Sequence, residues 1–130
     1  MMLEPKTADD IRANREEWAQ ALESGAYPQG RKYLTDGDGG YCCFGVLCEL
    51  IDPTRTQWEP TNTYPDNYLL SVVGYSLSAE RDTFTPSNGA FRLAVANDTG
   101  TPFTEIANLI RAAPMPPLPN LPPYSEDAGQ

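Results

Sequence analysis

Ile11, Trp18 and Leu22 fall on one helical face, with Ala21 beside them, and this stripe predicts the first element of the chain. Thr7 suits its N-cap, Asp9 and Asp10 its first turn, and Gly25 the C′ position. Arg12, Arg15, Glu16 and Glu17 are expected to face solvent. Two short strands follow, Tyr33 to Thr35 and Tyr41 to Cys43. The Gly- and Asp-rich stretch Asp36 to Gly40 between them predicts a hairpin. From Phe44 the period changes. Phe44, Leu47, Cys48 and Ile51 sit at i, i+3, i+4 and i+7, a short buried helix that Asp52-Pro53 ends. Residues 53–89 hold four Pro and many small polar residues, and only Tyr68 to Tyr75 is apolar enough for a buried strand or short helix. Asn88 caps a predicted helix from Ala90 to Asn97 with Phe91, Ala94 and Val95 inward and Gly100 past its end. Thr101-Pro102 starts another, striped by Phe103, Ile106, Ala107 and Ile110. The expected fold is α+β: one domain over residues 1–113, helices around a short hairpin, then a Pro-rich tail over 114–130.

Charge narrows the partners. Lys plus Arg number 9 and Asp plus Glu 18, a formal charge of −9. That argues against nucleic acid, which needs clustered cations, and against an anionic membrane surface. His is absent, which removes the commonest general base and metal ligand. Leu, Ile, Val and Phe make up under a fifth of the chain, so the seven Tyr and two Trp must carry much of the core. The N-terminal stretch has no apolar leader pattern and no segment is long enough to span a bilayer; the cytosol of the cell that makes it is the expected location. Cys42, Cys43 and Cys48 lie in one apolar run and suit a reducing compartment. Three Cys without His do not make a zinc pattern, so neither metal nor cofactor is expected.

Two segments carry candidate chemistry. Arg31 and Lys32 are an adjacent basic pair in an acidic chain, flanked by Tyr27, Gln29 and Tyr33. Arg grips phosphate bidentately, a Tyr ring stacks on a base, and Gly30 permits close backbone approach. Trp18 joins this set as an aromatic wall. Asn97, Asp98 and Thr101 lie in the connection between the last two helices; there they serve either as cap residues or as partners for a ribose hydroxyl and an anion. The Asp36-to-Gly40 stretch lacks the ligand spacing of a calcium loop and reads as a turn.

Trp18, Leu22, Ser24, Gly25, Tyr27, Gln29 and Gly30, then Cys42 through Leu50, then Asn97, Asp98, Gly100, Phe103, Ile106 and Ala107 form a recurring pattern. It resembles that of small, mostly uncharacterised proteins encoded by tailed bacteriophages and some actinobacteria; Phe44 stands where that pattern has Leu. The resemblance implies a phage-borne protein, and phage proteins of this size include sponges for nucleotide immune signals. The expected function is therefore non-catalytic sequestration of a small nucleotide-type ligand, a cyclic nucleotide or an ADP-ribose derivative, in the host cytosol. A homo-oligomer that closes its site between protomers belongs to this expectation. The alternatives are a hydrolase of such a nucleotide that uses carboxylates, and an acidic inhibitor of a host protein.

Overall fold

Among the described residues five helices form, and no sheet. The computed structural model describes residues 5–56, 58–62, 65, 67–75 and 90–112. Among these, α1 spans Ala8–Glu23, α2 Cys43–Ile51, α3 Asn67–Ser71, α4 Ala90–Asp98 and α5 Phe103–Ala112. Helix α1 packs on α5 and α2, α2 on α4, and α4 on α5, which closes a ring of contacts. The expected Asn88 cap and the Pro-rich tail lie outside the described residues.

The α+β expectation is overturned here, and hydrogen bonding gives the reason. Only isolated bridges join Gln29 to Tyr41 and Thr35 to Tyr41. The N–H groups of Leu34 and Thr35 donate to the carbonyls of Asn62 and Pro60 at 2.7 and 2.9 Å, so the irregular middle segment takes the partners that a ladder would need. Cys42 is the N-cap of α2: its sulfur accepts the Gly45 N–H at 3.4 Å, and Cys43 is already helical. The predicted second strand is thus the start of a helix.

The first helix follows its sequence signals. Thr7 Oγ1 accepts the Asp10 N–H at 3.1 Å, and Gly25 follows the helix with φ of +80°. Ile11, Trp18 and Leu22 are buried. Trp18 sits among Phe44 and Tyr75, with ring centroids 5.6 and 5.9 Å away, and its Nε1 donates to the Cys43 carbonyl at 2.9 Å. Arg15 departs from expectation and is buried. Its Nε donates to the Val73 carbonyl at 2.7 Å and its guanidinium lies 5.0 Å from the Tyr75 ring centroid. Asn14 donates to the Val72 carbonyl at 2.9 Å. The turn that ends α3 leaves carbonyls without helical donors, and these α1 side chains supply them.

The stripe on α5 is buried at Phe103, Ile106, Ala107 and Ile110 as the periodicity predicts. On α4 Ala94 packs against the core as expected and Leu93 and Asn97 are buried beside it, whereas Val95 is exposed; the Phe91 side chain lies outside what the structure describes. Helix α5 also starts one residue later than expected, because the Pro102 carbonyl, not that of Thr101, accepts the first helical bond. An ion-pair cluster ties it to α1. Arg111 meets Glu16 through Nε at 3.0 Å and Nη2 at 2.9 Å, and meets Glu23 through Nη1 and Nη2. Glu16 and Glu23 are seven residues apart, two turns of one face.

Gly45 fixes how α2 meets the loop before it. A Cβ there would overlap the Leu34 carbonyl oxygen. The three cysteines are buried free thiols, and burial pushes Cys42 up to about 11 and Cys43 well above the ordinary thiol value. No helix among the described residues is long and apolar enough to cross a membrane.

Candidate functional site

Residues 28–33 form a loop that docks on the connection between α4 and α5. Its base is tied to Tyr41, whose N–H donates to the Pro28 carbonyl at 2.7 Å and whose carbonyl accepts from Gly30 at 2.6 Å. Its top is tied to α4. Asn97 is fully buried and donates from Nδ2 to the Gly30 carbonyl at 2.9 Å; its Oδ1 accepts from Gln29 Nε2 at 3.0 Å. Gln29 Nε2 also donates to the Thr101 carbonyl at 2.7 Å. Asp98 Oδ1 accepts the Lys32 backbone N–H at 2.7 Å and Asn97 Nδ2 at 3.2 Å.

The α4 end of this junction is a Schellman motif. The Thr101 N–H reaches the Ala96 carbonyl at 2.9 Å and the Gly100 N–H reaches that of Asn97 at 3.3 Å, with Gly100 at φ +105°. Gly100 has a second role: a Cβ there would lie 3.3 Å from Arg31 Nη2, so the guanidinium rests over this turn. Gly30 does not offer its backbone to a ligand. A Cβ on it would meet Asp36 Oδ2 at 2.8 Å, so its open side is filled from within the protein. Asp36 Oδ1 in turn accepts the N–H groups of Asp38 and Gly40 at 2.8 and 2.9 Å, and these bonds hold its carboxyl below the usual range.

Of the residues singled out from sequence, the structure thus brings Gln29, Arg31, Lys32, Asn97, Asp98 and Thr101 together. Tyr33 belongs to the same loop and is 39% exposed, with Lys32 Nζ 5.5 Å from its ring centroid. Tyr27 goes elsewhere. It packs edge-on against Tyr41 at 5.3 Å, and desolvation pushes its hydroxyl up from its ordinary value. Trp18 is closed inside the core. Gln29 Nε2 and both polar atoms of Asn97 bond within the junction, so these side chains build it rather than present it. Residues that the sequence reading passed over include Arg55, which lies 5.2 Å from the Trp58 ring centroid and donates to Glu49 Oε1 at 3.3 Å.

Arg12, Arg55 and Arg111 each meet a carboxylate, whereas among the described residues the head groups of Lys6, Arg31 and Lys32 meet none. Lys32 also has φ of +79°, and the Tyr33 N–H donates across it to the Arg31 carbonyl at 2.9 Å. An i→i+2 bond over a residue of positive φ is the rarer and strained hand of γ-turn.

A family model matches residues 11–86, more than half of the chain, and its description is a domain of unknown function. The chain belongs to the DUF8296 family. No curated protein and no solved structure matches it. The DUF8296 match contains the loop with Arg31 and Lys32 but ends before Asn97, so the junction joins the matched stretch to helices outside it.

Proposed function

We propose that this DUF8296 chain binds a small nucleotide-type anion where the 28–33 loop meets the α4–α5 connection, and holds it without chemical change. The observation that carries this reading is Lys32. Left-handed backbone costs a non-glycine residue roughly 1–2 kcal/mol and is the natural place for Gly or Asn. Here a Lys occupies it, its backbone N–H held by the Asp98 carboxylate, beside Arg31, and among the described residues neither head group meets a carboxylate. Strain of this kind collects at functional sites. A need for positive charge at this point of an acidic chain accounts for the residue chosen.

The chemistry follows from the two head groups. Arg31 offers a planar fork that matches two phosphate oxygens, and Lys32 a mobile point charge. The Gln29–Asn97–Asp98 bonds hold the backbone beneath them before any ligand arrives, which lowers the ordering cost of binding. Sequestration of a nucleotide signal is the use that such a site fits.

The test is to saturate the protein with cyclic and ADP-ribose-type nucleotides, denature it by heat, and analyse what is released. Recovery of intact nucleotide in proportion to protein supports sequestration. Cleaved nucleotide makes the protein a hydrolase and overturns the non-catalytic reading. No retained nucleotide, with a host protein co-purifying instead, replaces this reading with an acidic inhibitor.

A further inference from the structure

We infer that the ligand must carry an anionic group and a flat heteroaromatic ring close together, a nucleoside monophosphate in its simplest form, and that Lys32 and Tyr33 admit it by exchange. This rests on the site proposed above and adds what that site selects. Tyr27 is turned away against Tyr41, which leaves Tyr33 as the exposed ring of this loop. In the free protein the Lys32 ammonium lies over one face of it, 5.5 Å from the ring centroid. The ring quadrupole holds that cation weakly at an exposed site, whereas a phosphate makes a charge-assisted hydrogen bond with it. An arriving phosphate therefore draws Lys32 off the ring and uncovers the face on which a base can stack.

The backbone makes the exchange local. Lys32 and Tyr33 are adjacent, and the Lys32 N–H is fixed on Asp98 at 2.7 Å, so only the two side chains need move. Arg31, resting over Gly100, remains to take the second oxygen. Each half of the ligand alone does poorly. Inorganic phosphate recruits Lys32 and leaves Tyr33 bare. A nucleoside must displace the ammonium and offers it no new partner. A molecule with both halves satisfies both residues at once.

Calorimetric titration with AMP, adenosine and inorganic phosphate tests this on wild type, Lys32→Ala, Tyr33→Leu, Tyr33→Phe and Arg31→Ala. Stacking on an aromatic side chain is worth roughly 5- to 150-fold per base. AMP should accordingly bind wild type at least ~10-fold tighter than phosphate, Tyr33→Leu should remove that margin, and Tyr33→Phe should keep it. Lys32→Ala should act in opposite directions, weakening AMP and strengthening adenosine, because it uncovers the ring. Should AMP depend on Arg31 but bind no better than phosphate, or be unaffected by Tyr33→Leu, the exchange is wrong and the site stands. Should AMP fail to bind, or bind Arg31→Ala and Lys32→Ala as tightly as wild type, the site itself is wrong and the exchange falls with it.

Discussion

Asn97 donates from Nδ2 to the Gly30 carbonyl at 2.9 Å, so the loop bearing Arg31 and Lys32 hangs on a fully buried amide of α4. Its other end accepts from Gln29 Nε2, which leaves no polar atom of the buried side chain idle. Loss of one partner from a buried pair exposes the cost of the group left behind, about 1–3 kcal/mol. Asn97→Ala should destabilise the protein by about 2 kcal/mol in urea unfolding, near the middle of that range. Asn97→Asp should be no better at neutral pH, because a carboxylate cannot donate to Gly30. A change within experimental error for either variant would mean that the amide does not hold the loop.

Lys32→Gly separates stability from binding. Glycine adopts positive φ without steric cost but loses more chain entropy on folding. The relief of roughly 1–2 kcal/mol therefore exceeds or matches the entropic loss, and thermal unfolding should show no loss and a gain of up to about 1 kcal/mol. Nucleotide affinity should fall in the same variant. Marked destabilisation would show that Lys32 is retained for packing instead.

Gly45→Ala should be among the most damaging single substitutions in the chain. Its Cβ would overlap a backbone oxygen of Leu34, which cannot rotate away as a side chain can. Overpacking in a core costs typically about 1–3 kcal/mol, and this position belongs at or above the top of that range. Circular dichroism melts of the purified variant measure it; a melt unchanged from wild type would refute the close contact between α2 and Leu34.

Acid should loosen α5 from α1. Hydrogen bonds from Arg111 hold the carboxyls of Glu16 and Glu23 below the usual range. A carboxyl depressed in the folded state contributes stability that is present above its unfolded value, near 4.5, and is lost as pH falls through the folded one. Stability measured from pH 7 downward should therefore drop less steeply in Arg111→Ala than in wild type. Parallel acid limbs would show that the cluster is screened by solvent and contributes nothing measurable.

Periodicity was legible wherever a helix buried one apolar stripe. Phe103 to Ile110 and the run after Phe44 show this, and Thr7 and Gly25 mark the ends of α1 through local chemistry alone. It failed where polar side chains do structural work at long range. Arg15 and Asn97 occupy buried positions because backbone groups distant in sequence need their donors, and no local pattern records that. The expected hairpin fails for a related reason: Tyr33 to Thr35 holds residues that suit a strand, but the N–H groups of Leu34 and Thr35 are taken by Asn62 and Pro60. Within the candidate site, the pairing of Arg31–Lys32 with the Asn97–Thr101 connection was visible only as two polar segments. Their contact, and the removal of Trp18 and Tyr27 from it, required the fold.

Calorimetric titration of wild type, Arg31→Ala and Arg31→Lys with cyclic and ADP-ribose-type nucleotides tests the central claim most directly. Arg31→Ala should weaken binding by roughly 1.5–3 kcal/mol, the range for a hydrogen bond to a charged group. Arg31→Lys should recover only part of this, since the bidentate fork is lost, and both should melt with wild type because the side chain is exposed. Equal affinities across the three proteins would contradict the assignment of nucleotide binding to this loop.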